Sequence, residues 1–160
     1  MNSLIIRQAT RKDGKALLHL IDALANFEKL DRPTRSARRR LLLGAFGKKK
    51  RFDALLAESN GKAIGYAVFF ETYSSFLALP TLYLEDIFVL PEYRRQNVGL
   101  QLFKKCVSEA KRRGCGRMEW MVLDWNRNAI RFYDRLGARQ LREWLPFRLD
   151  SQDFLRIINR

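Results

Sequence analysis

The passage from Leu82 to Phe103 constrains this chain more than any other stretch. Leu82, Tyr83, Leu84, Ile87, Phe88 and Val89 are large apolar, aromatic or β-branched residues, and Pro91 stops the run, so it reads as a strand. Gly99, Leu102, Phe103, Cys106, Val107 and Ala110 fall at i, i+3, i+4, i+7, i+8 and i+11, one face of a helix. The turn between them carries Arg94, Arg95, Gln96 and Asn97. A strand, a tight basic turn and a helix start can make an anion hole, because the first helical N–H groups point outward and the dipole favours negative charge. The bland alternative is an ordinary strand-turn-helix unit with solvated arginines. Glu85 and Asp86 weigh against it, since an uncompensated carboxylate in a buried strand costs several kcal/mol.

The surroundings favour one α/β domain over residues 1–160, a length at which roughly 70% of the unfolded surface is buried. No run approaches the ~20 apolar residues of a membrane span. Met1 to Arg7 lacks the basic start and long apolar centre of a signal peptide. Cys106 and Cys115 form no disulfide framework, so a reduced, cytoplasmic protein is expected. A single histidine, His19, lies off the apolar stripe of its helix, and no Cys/His cluster suggests a metal. The net charge of +14 is spread evenly, with 15 Lys and Arg before residue 81 and 16 after it. Such a surface attracts polyanions, phosphorylated cofactors and nucleic acid alike. No recognisable nucleic-acid motif accompanies it, which argues against a nucleic-acid module.

In order, Leu4–Gln8 reads as a strand, Thr10 to Asp13 as a capping box, and Leu17, Leu20, Ile21, Leu24 and Phe27 as the face of a first helix. Thr34 or Ser36 caps a second helix to about Phe46. Residues 52–58 and 63–73 are strands joined by Asn60-Gly61, a strong hairpin signal. After the central helix, Gly114-Cys-Gly116 ends it, Arg117 to Leu123 is a further strand, and Asp124 or Asn126 caps a helix with an Ala129, Phe132, Tyr133, Leu136 stripe. Residues 139–143 and 146–150 read as two late strands, and Ser151 caps a short C-terminal helix. The expected architecture is a mixed, mostly antiparallel central sheet flanked by helices.

Three segments carry a family resemblance: Leu82-Tyr-Leu-Glu-Asp-Ile-Phe-Val89, Tyr93-Arg-Arg-Gln-Asn-Val-Gly99, and Asp124-Trp-Asn-Arg-Asn-Ala-Ile-Arg-Phe-Tyr-Asp-Arg-Leu-Gly-Ala138. With Asn26-Phe-Glu-Lys29 they resemble the GNAT superfamily of N-acetyltransferases, in particular the spermidine/spermine (diamine) acetyltransferases and their thialysine-acetylating relatives. The resemblance implies the GNAT acyl-CoA N-acyltransferase fold, acetyl-CoA as cosubstrate, a small-molecule amine as acceptor and a homodimer. It places Ile87, Phe88 and Val89 along the pantetheine arm, Arg94, Arg95, Gln96, Asn97, Val98, Gly99 and Leu100 at the pyrophosphate, and Asn126, Arg127, Asn128 and Ala129 on the cofactor's far wall. The family's loop has glycine where this chain has Asn97, and asparagine tolerates left-handed backbone angles, so the loop shape survives.

Acetylation needs a neutral amine nitrogen, and an amine with a pKa near that of lysine is mostly protonated at neutral pH. By the resemblance, Glu85 is the base or water-positioning carboxylate and Tyr133 the acid for the leaving thiolate. Tyr133 could otherwise be a core aromatic on its helix stripe, and Glu85 half of a buried salt bridge. Glu28, Asp86 and Glu119 are candidates to hold the amine, with Phe27, Trp120 and Met121 as walls and Asp31 nearby in sequence. Adjacent strand residues point to opposite faces, so Glu85 and Asp86 should serve different roles unless a bulge intervenes. The basic surface would repel a free polycation at long range, favouring a smaller or less charged amine than spermine. A protein or peptide N-acetyltransferase is the alternative on the same scaffold.

Overall fold

Five strands form one sheet in the spatial order β1-β2-β3-β4-β5, in a computed structural model that describes residues 4–160. They are β1 (Leu4–Gln8), β2 (Asp53–Ser59), β3 (Lys62–Ser74), β4 (Leu79–Val89) and β5 (Arg117–Glu119). The first four are antiparallel neighbours, and β5 pairs parallel to β4. The β2–β3 hairpin closes at Asn60 and Gly61, whose φ angles of 50° and 74° match the primed turn that suits strand twist. A parallel pair needs a crossover, and α3 (Val98–Arg112) supplies it between β4 and β5.

The chain divides into two units, Met1–Met121 and Val122–Arg160. The first holds the sheet with α1 (Gly14–Glu28), α2 (Arg35–Phe46) and α3. On one sheet face, Leu17 and Leu20 of α1 pack with Ala54, Leu56, Tyr66, Val68 and Phe88, and Ile21, Leu24 and Phe27 complete the layer. On the other, α3 buries Leu102, Phe103, Cys106 and Ala110. Gly65 permits that second layer, because a Cβ there would stand 2.8 Å from the Phe88 carbonyl oxygen and 3.4 Å from a Leu102 methyl. Burial pushes the Cys106 thiol up to about 12, which makes it a small core residue and no nucleophile. His19 is exposed, as its position off the stripe implies.

Polar contacts fix the entry to α1. The Arg7 guanidinium on β1 forks onto Glu58 of β2 (2.6 Å) and Asp13 (2.8 Å), and Asp13 also accepts from the Thr10 backbone N–H (2.7 Å). Those donors hold the Asp13 carboxyl well below the usual carboxylate range. Thr34 caps α2 by accepting from the Ala37 N–H. The second unit holds α4 (Arg127–Arg135), capped by Asn126 and ended by Gly137 at φ 81°, and a short α5 (Phe154–Ile158).

Two expectations need correction. The strands expected over 139–143 and 146–150 do not form: the Trp144 N–H closes a turn onto Leu141, and Pro146 has no N–H for a ladder. The strand expected from Arg117 to Leu123 pairs only over Arg117–Glu119, opposite Thr81–Tyr83. Among the described residues β4 therefore has no strand partner on its β5 side beyond Tyr83, which matters at the site.

Candidate active site

The site begins at a β-bulge. Phe69 lies opposite Leu84, and its neighbour Val68 lies opposite Asp86, so Glu85 is an extra residue in β4. Consecutive residues of β3 face opposite ways; their partners Leu84 and Asp86, two apart, must then do so too, which a regular strand forbids. The bulge is the exception under which Glu85 and Asp86 need not point apart. Both fall on the α1 side, with Tyr66 and Phe88, while Leu84 is buried on the α3 side. The Tyr66 hydroxyl donates to Asp86 Oδ2 at 3.2 Å.

The grouping has an electrostatic consequence. The Asp86 carboxyl is pushed up to about 6, first by burial, then by the negative charge of Glu85 and, more weakly, of Glu28; the Tyr66 hydrogen bond pulls the other way. Burial also raises Glu28 at the end of α1. Among the described residues no cation contributes to Asp86, whose buried carboxyl stands among acids. Such a position costs stability unless a positive group compensates it.

Phe27 and Phe88 form the wall beside it, their ring centroids 6.2 Å apart. The Arg94 guanidinium lies 4.6 Å from the Phe27 ring and 5.4 Å from the Phe88 ring, and its Nε donates to the Val89 carbonyl at 2.9 Å. Arg94 therefore turns inward as a brace between α1 and β4, and its guanidinium is already engaged by Val89 and the two rings. The other expected wall residues spread out. Glu119 pairs with Arg117 (2.9 Å) and sits across from Tyr83, Trp120 stands edge-on to Phe103 of α3 at 5.4 Å, and Met121 is exposed. Asp31 is exposed beyond the end of α1.

Beyond the bulge, Ile87, Phe88 and Val89 run along the open edge of β4 into the turn. Arg95 and Asn97 both take φ of 61°, so Asn97 adopts the left-handed geometry expected of it. The first intrahelical bond of α3 runs from the Gln101 N–H to Asn97, and Asn97 makes no side-chain cap. The N–H groups of Val98, Gly99 and Leu100 precede that bond, and no acid sits in the first turn. A Cβ at Gly99 would meet only a Val89 methyl, at 3.8 Å. The fold itself leaves room for a side chain at Gly99, so a demand for glycine there would come from a ligand.

In the second unit, Asn126 Oδ1 accepts from the Ala129 N–H at 3.2 Å and Asn128 Oδ1 accepts from Arg131 at 2.8 Å, so both amides serve α4. Tyr133 is buried, its ring 5.1 Å from that of Phe132.

The family model described as "Acetyltransferase (GNAT) family" matches residues 16–138. The chain belongs to the GNAT acetyltransferases. A thialysine N-epsilon-acetyltransferase from Mus musculus is 34% identical over 100% of both chains. An L-ornithine N5-acetyltransferase from Arabidopsis thaliana is 44% identical over 60% of this chain and 42% of its own. An aminoglycoside N-acetyltransferase solved with CoA superposes with a TM-score of 0.77 at 21% identity, covering 93% of this chain and 96% of that one, which speaks to the fold. Among the described residues, no helix of this acetyltransferase is long and apolar enough to cross a membrane.

Sequence reasoning gave Tyr66 no role in this GNAT site and named Arg94 without its contacts. Tyr66 stood in an apolar strand run and passed for core, although a fully buried tyrosine needs a partner for its hydroxyl. Arg94 was counted with the phosphate loop, and nothing local to it reveals that Phe27, 67 residues earlier, and Phe88 would flank it.

Proposed function

We propose that this chain transfers the acetyl group of acetyl-CoA to a primary amine of a small molecule, a diamine, a polyamine or a lysine- or thialysine-like amine, by direct attack. One observation carries the reading: a single strand, β4, bears an uncompensated acid group at its bulge and, a few residues on, an open edge leading to the uncapped start of α3. The first suits an ammonium group and the second a pyrophosphate. The relatives that act on thialysine and ornithine, and the neighbour that binds CoA, support the same pairing.

Acetyl-CoA supplies the activated acyl group as a thioester. Val98, Gly99 and Leu100 would hold the pyrophosphate by backbone N–H groups, Arg95, Gln96 and Asn97 would shape the loop, and Ile87, Phe88 and Val89 would offer backbone groups to the pantetheine arm. Asn126, Arg127, Asn128 and Ala129 would form the far wall. Glu85, exposed at the bulge, takes a proton from the amine directly or through water, so that nitrogen can form the new C–N bond. Tyr133 returns a proton to the departing thiolate as the C–S bond breaks. Asp86 and Glu28, beside Phe27, hold a second positive group. The surface of +14 works against long-range capture of a polycation, and the acids act only at short range, which favours a short amine. Glu119, Trp120 and Met121 extend the acceptor side toward the end of β5. Both cysteines are free thiols, which fits a reducing cytoplasm, and the subfamily resemblance supports a homodimer.

Thermal shift with CoA and with heparin tests the cosubstrate half. Stabilisation by micromolar CoA is expected; stabilisation by the polyanion alone, lost with added salt, would overturn it in favour of a nucleic-acid module.

A further inference from the structure

We propose that Tyr66 is a positioning residue for the amine site, its buried hydroxyl holding the Asp86 carboxylate in place at the bulge for a charged nitrogen of the substrate. This inference rests on the amine-acetyltransferase reading above. Tyr66 is 0% exposed, and its ring lies in the layer formed by Leu17, Leu20, Val68 and Phe88, with the Phe88 centroid at 6.5 Å. A tyrosine so enclosed costs stability unless its hydroxyl is bonded, and the bond it makes goes to Asp86. The bulge supplies the geometry: in a regular strand that kept Glu85 in register, Asp86 would share the α3 side with Leu84, out of reach of Tyr66.

The charges facing Asp86 explain why the hydroxyl matters. Glu85 on its own strand and Glu28 on α1 both disfavour its ionised form, as does burial. The cation packed nearest this wall, Arg94, bonds the Val89 carbonyl and covers Phe27 and Phe88. Among the described residues acting on Asp86, the Tyr66 hydroxyl is the one that favours the anion. Burial and the neighbouring carboxylates push the ionisation of Tyr66 well above its ordinary range, so it keeps its proton and serves as a donor. Removing it leaves Asp86 with more protonated character near neutral pH and with freedom to rotate off the bulge.

Tyr66→Phe keeps the ring and deletes the donor. For a diamine the KM at neutral pH should rise roughly tenfold, the scale of one hydrogen bond to a charged group, while kcat and the KM for a monoamine stay near those of the parent. The rise should shrink at higher pH, where Asp86 ionises regardless. In an Asp86→Asn background Tyr66→Phe should add nothing, because the residue it acts through is gone. The Asp86 carboxyl carbon, followed by NMR and assigned by its loss in Asp86→Asn, should titrate at a higher midpoint in Tyr66→Phe. An unchanged midpoint, or an equal KM change in the Asp86→Asn background, would overturn the role of Tyr66. That titration needs no turnover, so a parent inactive on every amine would instead overturn the functional reading.

Discussion

Gly99→Glu should separate the stability of the fold from its capacity to bind an anion. A Cβ at Gly99 meets nothing closer than a Val89 methyl at 3.8 Å, and Gly99 is not among the residues with positive φ. Replacing glycine inside a helix gains about 0.5–1 kcal/mol, and a carboxylate in the first turn about 0.3–1 kcal/mol from the dipole. Together, about 1–2 kcal/mol should raise the melting temperature of the ligand-free protein by roughly 2–8 °C. The same carboxylate would stand against the pyrophosphate. At about 4 Å and an effective dielectric of about 20, one such repulsion is worth about 4 kcal/mol, roughly a thousandfold in affinity. Calorimetric titration with CoA reads the second effect and a thermal melt without ligand reads the first. Parent-like CoA affinity would show that the anion hole lies elsewhere. A melting point several degrees lower would refute the premise that the fold tolerates a side chain there.

The turn before that helix gives a paired test: Asn97→Gly should keep or tighten CoA binding, while Asn97→Val, at a φ of 61°, should cost about 1–2 kcal/mol in the melt. Tyr133→Phe should lower turnover by roughly 10²-fold or more with little change in melting temperature; equal activity would return Tyr133 to a packing role. Glu85→Gln should slow the reaction most at neutral pH and less at high pH, where free amine is abundant, and a parent-like pH-rate profile would remove Glu85 as the proton acceptor. Asp86 ionises in the fold at about 6, above its ordinary 3.8, so stability is lost as pH rises through that window. Asp86→Asn should therefore stabilise the ligand-free protein at neutral pH, by about 1–3 kcal/mol, and flatten that pH dependence while raising KM for diamines.

What the sequence revealed followed the range of the interactions. The Asn60-Gly61 hairpin, the Thr34 cap and the left-handed Asn97 depend on neighbours within a few residues and formed as read, and the α3 stripe formed at Leu102, Phe103, Cys106 and Ala110 while Val107 is exposed. The bulge at Glu85 depends on register against β3, which periodicity along β4 alone does not encode, so the sequence leaves the faces of the two acids conditional on it. The inward turn of Arg94 depends on Phe27 and on the carbonyl of Val89, contacts that only the folded layer creates. The late strands failed because alternation over 139–150 offered a pattern without a ladder; a turn at Leu141–Trp144 and the missing donor of Pro146 settled the segment as irregular chain.

The central claim is that β4 presents an amine to an acetyl thioester. Its most direct measurement is acetyl-CoA consumption, with the acetylated product identified by mass spectrometry, over a panel of diamines, polyamines, thialysine, lysine, ornithine and a basic peptide. Acetylation of a short diamine or a lysine-like amine, exceeding that of spermine and of the peptide and lost in Asp86→Asn at low amine concentration, is the expected result. Turnover confined to the peptide, or small-amine turnover indifferent to both Glu85→Gln and Asp86→Asn, would contradict it.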